Sequence, residues 1–140
     1  MTDEGAASLP LLAVCVLVVA LTIVVADVGM LLQARAQASI AADAAALAAA
    51  PVTFRPFGAA GTPAQEAARF ATLNGGRLVA CACAVDESWS ERAVEVTVAF
   101  DRRLLVFGVV TVEARSRAEF VPARLPAFEE RLKGRPTRVR

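Results

Sequence analysis

Three serines, Ser88, Ser90 and Ser116, and three acids, Asp86, Glu87 and Glu91, are the side chains through which this chain would run hydrolytic or acid–base chemistry. The chain has no histidine. None of the hydroxyls therefore has the base that most often activates one, and the commonest metal ligand is missing too. The acids stand in turn-like polar sequence, where a solvated carboxylate is the ordinary state. No G-x-x-x-x-G-K-[ST], G-x-S-x-G, H-E-x-x-H or C-x-x-C pattern occurs. The sequence thus predicts no catalytic residues, no cofactor, no metal site and no small-molecule substrate. With a net charge of +1 and no strongly basic face, it predicts no nucleic-acid partner.

The cysteines are the remaining reactive groups. Cys15 stands in an apolar run and reads as a small filler. Cys81 and Cys83 share one face of a strand pattern. A bridge across one intervening residue strains ordinary disulfide geometry, so buried free thiols are the simplest expectation. A strained or intermolecular disulfide on an oxidising side of a membrane is the alternative.

The elements that carry these residues begin with a membrane span. Of the 140 residues 56% are hydrophobic, and the mean hydropathy of +0.53 reflects one block. From Leu9 to Ala26, LPLLAVCVLVVALTIVVA, no residue is charged. At about 1.5 Å per residue that run reaches roughly 27 Å, the thickness of a hydrocarbon core. The leading MTDEG is acidic, unlike the basic start of a cleaved secretory leader, so the span reads as an uncleaved anchor. Arg35, the nearest basic residue, would put the C-terminal side in the cytoplasm by the positive-inside rule. Asp27, at the end of the span, is either an interfacial acid or a residue that pairs with a partner.

Beyond the span nothing from Leu31 to Ala50 breaks a helix, and alanine dominates it. Pro51 is expected to end this helix, which would protrude from the membrane. Ala34, Ala38, Ala41, Ala45 and Ala48 follow the 4-3-4-3 spacing of closely packed helices. A second stripe, Ala36, Ile40, Asp43, Leu47 and Ala50, holds the larger side chains and the acid. So smooth a helix requires a close neighbour, either other helices or its own sheet. Asp43 would then lie on the least crowded arc or pair with a cation such as Arg35 of a neighbour.

Thr62-Pro63-Ala64-Gln65 is a helix start with a capping box, and Asn74-Gly75-Gly76 a stop using residues that accept positive φ. Ala67, Phe70 and Ala71 share a face. Three strand patterns follow. In Leu78–Val85 the inward set is Val79, Cys81, Cys83 and Val85. In Ala93–Phe100 it is Val94, Val96, Val98 and Phe100, and Val110–Phe120 alternates in the same way. Between the second and third, Arg102 to Gly108 sets an apolar run beside a basic pair, read as a buried loop or strand extension, or else as a docking surface. The expected organisation is a segment 1–8, a spanning and protruding helix 9–50, a linker 51–61, a small helix-plus-sheet domain 62–120 and a disordered basic tail 121–140. The fold class is α+β, pilin-like, with a long membrane-spanning helix, a short helix and an antiparallel sheet of three to four strands.

ADVGMLLQARAQASIAADAAALAAA, Ala26 to Ala50, resembles the N-terminal signature of TadE/TadG-like proteins of the tight-adherence pilus assembly system. The likeness lies in an apolar span, the Asp27-x-Gly29 that ends it, and the polar-alanine helix. The short helix, Asn74-Gly75 and the alternating strands resemble the layout of small actinobacterial members. The resemblance implies a non-catalytic pilin-like component of a pilus or related secretion apparatus. It would act by helix packing through Asp27, Gly29, Ala34, Ala38, Ala41, Asp43, Ala45, Leu47 and Ala48. Its partners would be other pilus or secretion-system membrane proteins, or copies of itself. It also implies a single-pass cytoplasmic-membrane protein whose C-terminal domain is extracytoplasmic, against the direction that Arg35 indicates. TadE pilins are cut after a glycine and carry Glu five residues on. Counted from Gly5 that position is Pro10, so the uncut TadG-like anchor is nearer. The alternative from another class is a membrane-anchored extracytoplasmic binding or sensor module.

Overall fold

The computed structural model of the protein describes residues 8–55 and 61–122. The expected N-terminal segment, the middle of the linker and nearly all of the basic tail lie outside the described residues. The chain runs α1 (Ser8–Val52), α2 (Pro63–Leu73), β1 (Arg77–Ala82), β2 (Arg92–Arg103) and β3 (Val109–Phe120). The three strands form one antiparallel sheet in the order β1-β2-β3. This is the α+β layout expected from the sequence.

The 45 residues of α1 extend about 68 Å, more than twice a hydrocarbon core. Its N-terminal half projects free of the rest, with Leu11, Val16, Val19 and Val25 each more than half exposed. Its C-terminal half is clad. Ala34, Ala38, Ala41, Ala42, Ala45, Ala46 and Ala49 are all fully buried. They meet β2 and β3 on one side and Ala67 and Ala71 of α2 on the other. The close neighbour of the alanine seam is therefore the chain's own domain. Ala48 is half-buried, whereas Ile40, Asp43 and Leu47 are exposed.

Pro51 does not end the helix as expected, and α1 runs on to Val52. A proline removes one backbone donor, which matters little in a last turn whose carbonyls can be met otherwise. Here the Thr53 N–H (3.3 Å) and hydroxyl (2.6 Å) both donate to the Ala50 carbonyl, and the Phe54 N–H donates to that of Pro51. Thr53 and Phe54 are buried, which draws this turn into the core.

The capping box of α2 forms as its sequence requires. The Gln65 N–H donates to the Thr62 hydroxyl and the Thr62 N–H to the Gln65 side chain. At the other end the two glycines have different roles. Gly75 takes φ +77°, whereas Gly76 sits where helix and sheet come closest. A Cβ on Gly76 would stand 2.5 Å from Cγ1 of Val98 and 3.3 Å from Cβ of Ala41.

In β2, Val94, Val96 and Val98 point into the core, opposite Ala118, Ser116 and Ala114 of β3. Phe100 is only half-buried. In β1 the expected inward set is wrong at both ends: Val79 and Val85 are nearly half-exposed, and Leu78 packs on the core instead. At Val79 the cause is a bulge, because Leu78 pairs with Val98 while Ala80 pairs with Thr97, and Val85 lies beyond the strand, which ends at Ala82. One extra residue reverses the alternation, so Leu78 and Cys81 face the same way. The ordered domain also passes the expected limit at Phe120, since Pro122 is fully buried.

Two substitutions test this packing. Val96→Asp places an unpaired charge at a fully buried position and is expected to cost about 4 kcal/mol or more, unfolding the sheet domain while α1 still inserts. Ala45→Leu overfills the contact between α1 and its own domain, and a loss of about 1–3 kcal/mol in denaturant unfolding is expected. Parental midpoints for both would refute the assigned core.

Candidate functional site

Asp27 is the first charged residue after the apolar run, and it is buried, with only 2% of its surface exposed. Its two oxygens accept from the backbone of the hairpin that joins β2 to β3. The Leu105 N–H reaches Oδ1 at 2.7 Å and the Val106 N–H reaches Oδ2 at 3.0 Å. Charge-assisted bonds from consecutive amides satisfy a carboxylate as a small anion nest does. Within the described chain, Asp27 is held by the backbone of its own hairpin.

The hairpin is shaped to reach it. The strands run to the pair Arg103–Val109, Gly108 takes φ +72°, and the Leu104 N–H closes the turn on the Gly108 carbonyl at 2.7 Å. The apolar run is neither simply buried nor simply a strand extension. Arg102 and Arg103 extend β2 and Leu104 turns inward, but Leu105, Val106 and Phe107 are 62–70% exposed.

Of the other residues proposed for assembly, Gly29 is exposed and nothing lies within 4 Å of where its Cβ would be. Asp43 lies on the open arc, where it accepts from the Ser116 hydroxyl at 2.5 Å. Leu47 is 67% exposed, while Ala34, Ala38, Ala41 and Ala45 are enclosed by the domain. Cys81 and Cys83 are joined as a disulfide, and both are half-buried against the core. Of the two sequence expectations for this pair, free thiols and a strained bridge, the placement follows the second. Cys81 and Ala82 still pair with Val96 and Glu95, and β1 ends at Ala82, so Cys83 lies just past the ladder.

A second polar knot, not foreseen from the sequence, closes the far end of α1. The Arg92 guanidinium donates to the carbonyls of Thr53, Asp86, Ser88 and Ser90 and stacks 5.5 Å from the Phe54 ring centre. Trp89 meets the same ring edge-on at 5.0 Å. Asp86 caps its own turn. The Ser88 N–H first, and the Ser88 hydroxyl next, hold its carboxyl below the ordinary value of 3.8. The serines and acids around residue 88 thus organise a loop. Their only sequence signal was Arg92 following the Ser-Trp-Ser stretch.

Residues 5–53 match the family model described as putative Flp pilus-assembly TadE/G-like. No curated protein and no solved structure resembles the chain closely enough to be matched.

Two measurements test these contacts. Asp27→Ala is expected to remove about 2–3 kcal/mol of coupling between hairpin and helix, read as a roughly 30- to 140-fold faster hydrogen exchange at Leu105 and Val106. Unchanged exchange at those amides would contradict the clamp. For Asp86, whose pKa is lowered on folding, the stabilising contribution is complete above the ordinary carboxylate value and is lost as pH falls through the folded one. Asp86→Asn should therefore flatten the acid limb of the unfolding curve and leave pH 7–9 flat, as in the parent.

Proposed function

We propose that this chain, which carries a TadE/G-like segment at residues 5–53, is a non-catalytic, single-pass membrane component of Flp/Tad pilus assembly that works by packing against other proteins of the cell envelope. Membership of that family implies a component of pilus assembly, and such proteins are typically structural rather than catalytic. The division of labour along α1 carries the reading. Its first half presents apolar side chains on every side, and its second half is sheathed in its own small domain. Such a helix suits a single anchor that holds a folded domain at a membrane surface.

The surface left for partners follows from that division. Gly29, Ile40 and Leu47 are exposed, whereas the fully buried alanines of the seam are already in use. Partners of this face are other pilus-assembly membrane proteins or a second copy of the chain. The domain lies on the extracytoplasmic side in this proposal. The intramolecular disulfide supports that side, since such bonds persist in oxidising compartments.

Photocrosslinking in native membranes tests both points. A crosslinker at Ile40 or Leu47 is expected to capture pilus-assembly proteins or another copy, and Leu47→Glu should reduce capture with the unfolding midpoint within about 0.5 kcal/mol of the parent. Capture that is indifferent to Leu47→Glu would remove this face from the proposal. A reporter fused after Arg140 should be active only outside the cytoplasm, and cytoplasmic activity would reverse the orientation.

A further inference from the structure

We infer that the tip of the β2–β3 hairpin is a second membrane contact, with Leu105, Val106, Phe107 and Val109 inserted into the headgroup and upper acyl region of the bilayer that α1 spans. The inference rests on the membrane-anchor reading of α1 and adds a contact that the anchor does not require.

Four observations converge on it. The first is exposure: those four side chains are 62–70% exposed at one end of a domain whose other apolar strand residues largely face the core. A contiguous apolar tip of this kind marks a contact surface. The second is position. The tip's backbone is bonded to Asp27, the residue at which the uncharged run of α1 ends. Depth is therefore set by the anchor, because the tip cannot leave the membrane level while Asp27 holds it.

The third is continuity. Val24, Val25 and Val28, which flank Asp27 on α1, are 51–70% exposed, so apolar surface continues from the helix to the tip. A solvent that covers one covers the other, and for α1 that solvent is lipid. The fourth is charge. Arg102 and Arg103 directly precede the tip on β2, at the level where anionic phosphates would stand above an inserted hairpin. The outer face of the sheet, by contrast, carries the ion pair of Glu95 with Arg115, a surface made for water.

Burial of Asp27 also makes sense in this setting. A carboxylate at the edge of hydrocarbon is costly unless bonded, and two backbone amides satisfy it without a further charge. In exchange the turn's own amides at Leu105 and Val106 gain an acceptor, which they would otherwise lack once water is displaced.

Site-directed nitroxide labelling of the full chain, with Cys15→Ser removing the free thiol, provides the test. The protein is reconstituted in vesicles of phosphatidylcholine and phosphatidylglycerol, and labels are placed through Phe107→Cys, Val18→Cys in the span and Glu113→Cys on the sheet's outer face. At position 107 collision with a water-soluble nickel chelate should fall severalfold below that at 113, with collision with oxygen rising toward the value at 18. Nickel access at 107 equal to that at 113 overturns the inference, because the tip is then in water. Shielding from nickel and oxygen alike also overturns it, because a protein then covers the tip. If the label at 18 is itself in water, the anchor reading fails and takes the inference with it. Phe107 is 70% exposed, so the labelled variant retains its fold.

Discussion

The approach of α1 to β2 sets the rest of the structure. Where Ala41, Gly76 and Val98 meet there is no room for a further methyl group, since a Cβ on Gly76 would overlap Val98. Close-packed interiors do not yield to such an overlap without moving a backbone. An alanine at nearly every buried position of the helix follows from this, and so does the glycine after α2. Once the helix lies this near, its buried arc is broad: the sheet covers one flank and Ala67 and Ala71 of α2 the other. The small core then rests on valines of one strand and on alanines, which bury little area each. Fixed ends matter more in a domain of that kind.

The two ends are fixed differently. At the end where the uncharged run of α1 stops, a single carboxylate, Asp27, takes two backbone amides of the hairpin. At the distal end Arg92 gathers four carbonyls around the Phe54 ring, and the Asp86 N–H donates to the Thr53 carbonyl at 3.0 Å. Each clamp joins α1 to a loop of the sheet across a long stretch of chain, so each restrains the helix against sliding along the strands. A smooth alanine face offers little resistance to such sliding by itself, because it lacks the large side chains that interlock ridges with grooves.

How much of this was legible in the sequence depended on whether a signal was local. β2 and β3 could be read because one face is solvated, and period-two alternation records that directly. The capping box of α2 is a four-residue statement and needs no tertiary partner. β1 was misread because its bulge at Val79 follows from pairing with β2, which a strand's own pattern does not encode. Pro51 was misread as a stop because the bonds that accommodate it come from Thr53 and Phe54 beyond it. The alanine spacing announced a close neighbour without naming it, and the neighbour proved to be the chain's own sheet. Asp27 stood out as an acid at the end of a span, but its partners are backbone amides 78 and 79 residues away, which carry no residue signature.

The composition of the same helix changes along its length. Up to Val25 it is apolar on all sides, the composition that suits a single membrane anchor. From Ala34 it is alanine wherever the domain touches it. On the exposed arc of this half stand Ile40, Asp43 and Leu47. Solubility alone would favour Lys, Glu or Gln at such positions at no cost in helix propensity. Two large aliphatic side chains there, one turn to either side of an acid held by Ser116, leave an apolar strip that the fold itself does not use. In the proposed assembly such a strip is what a partner would meet, and it lies where the domain does not cover it.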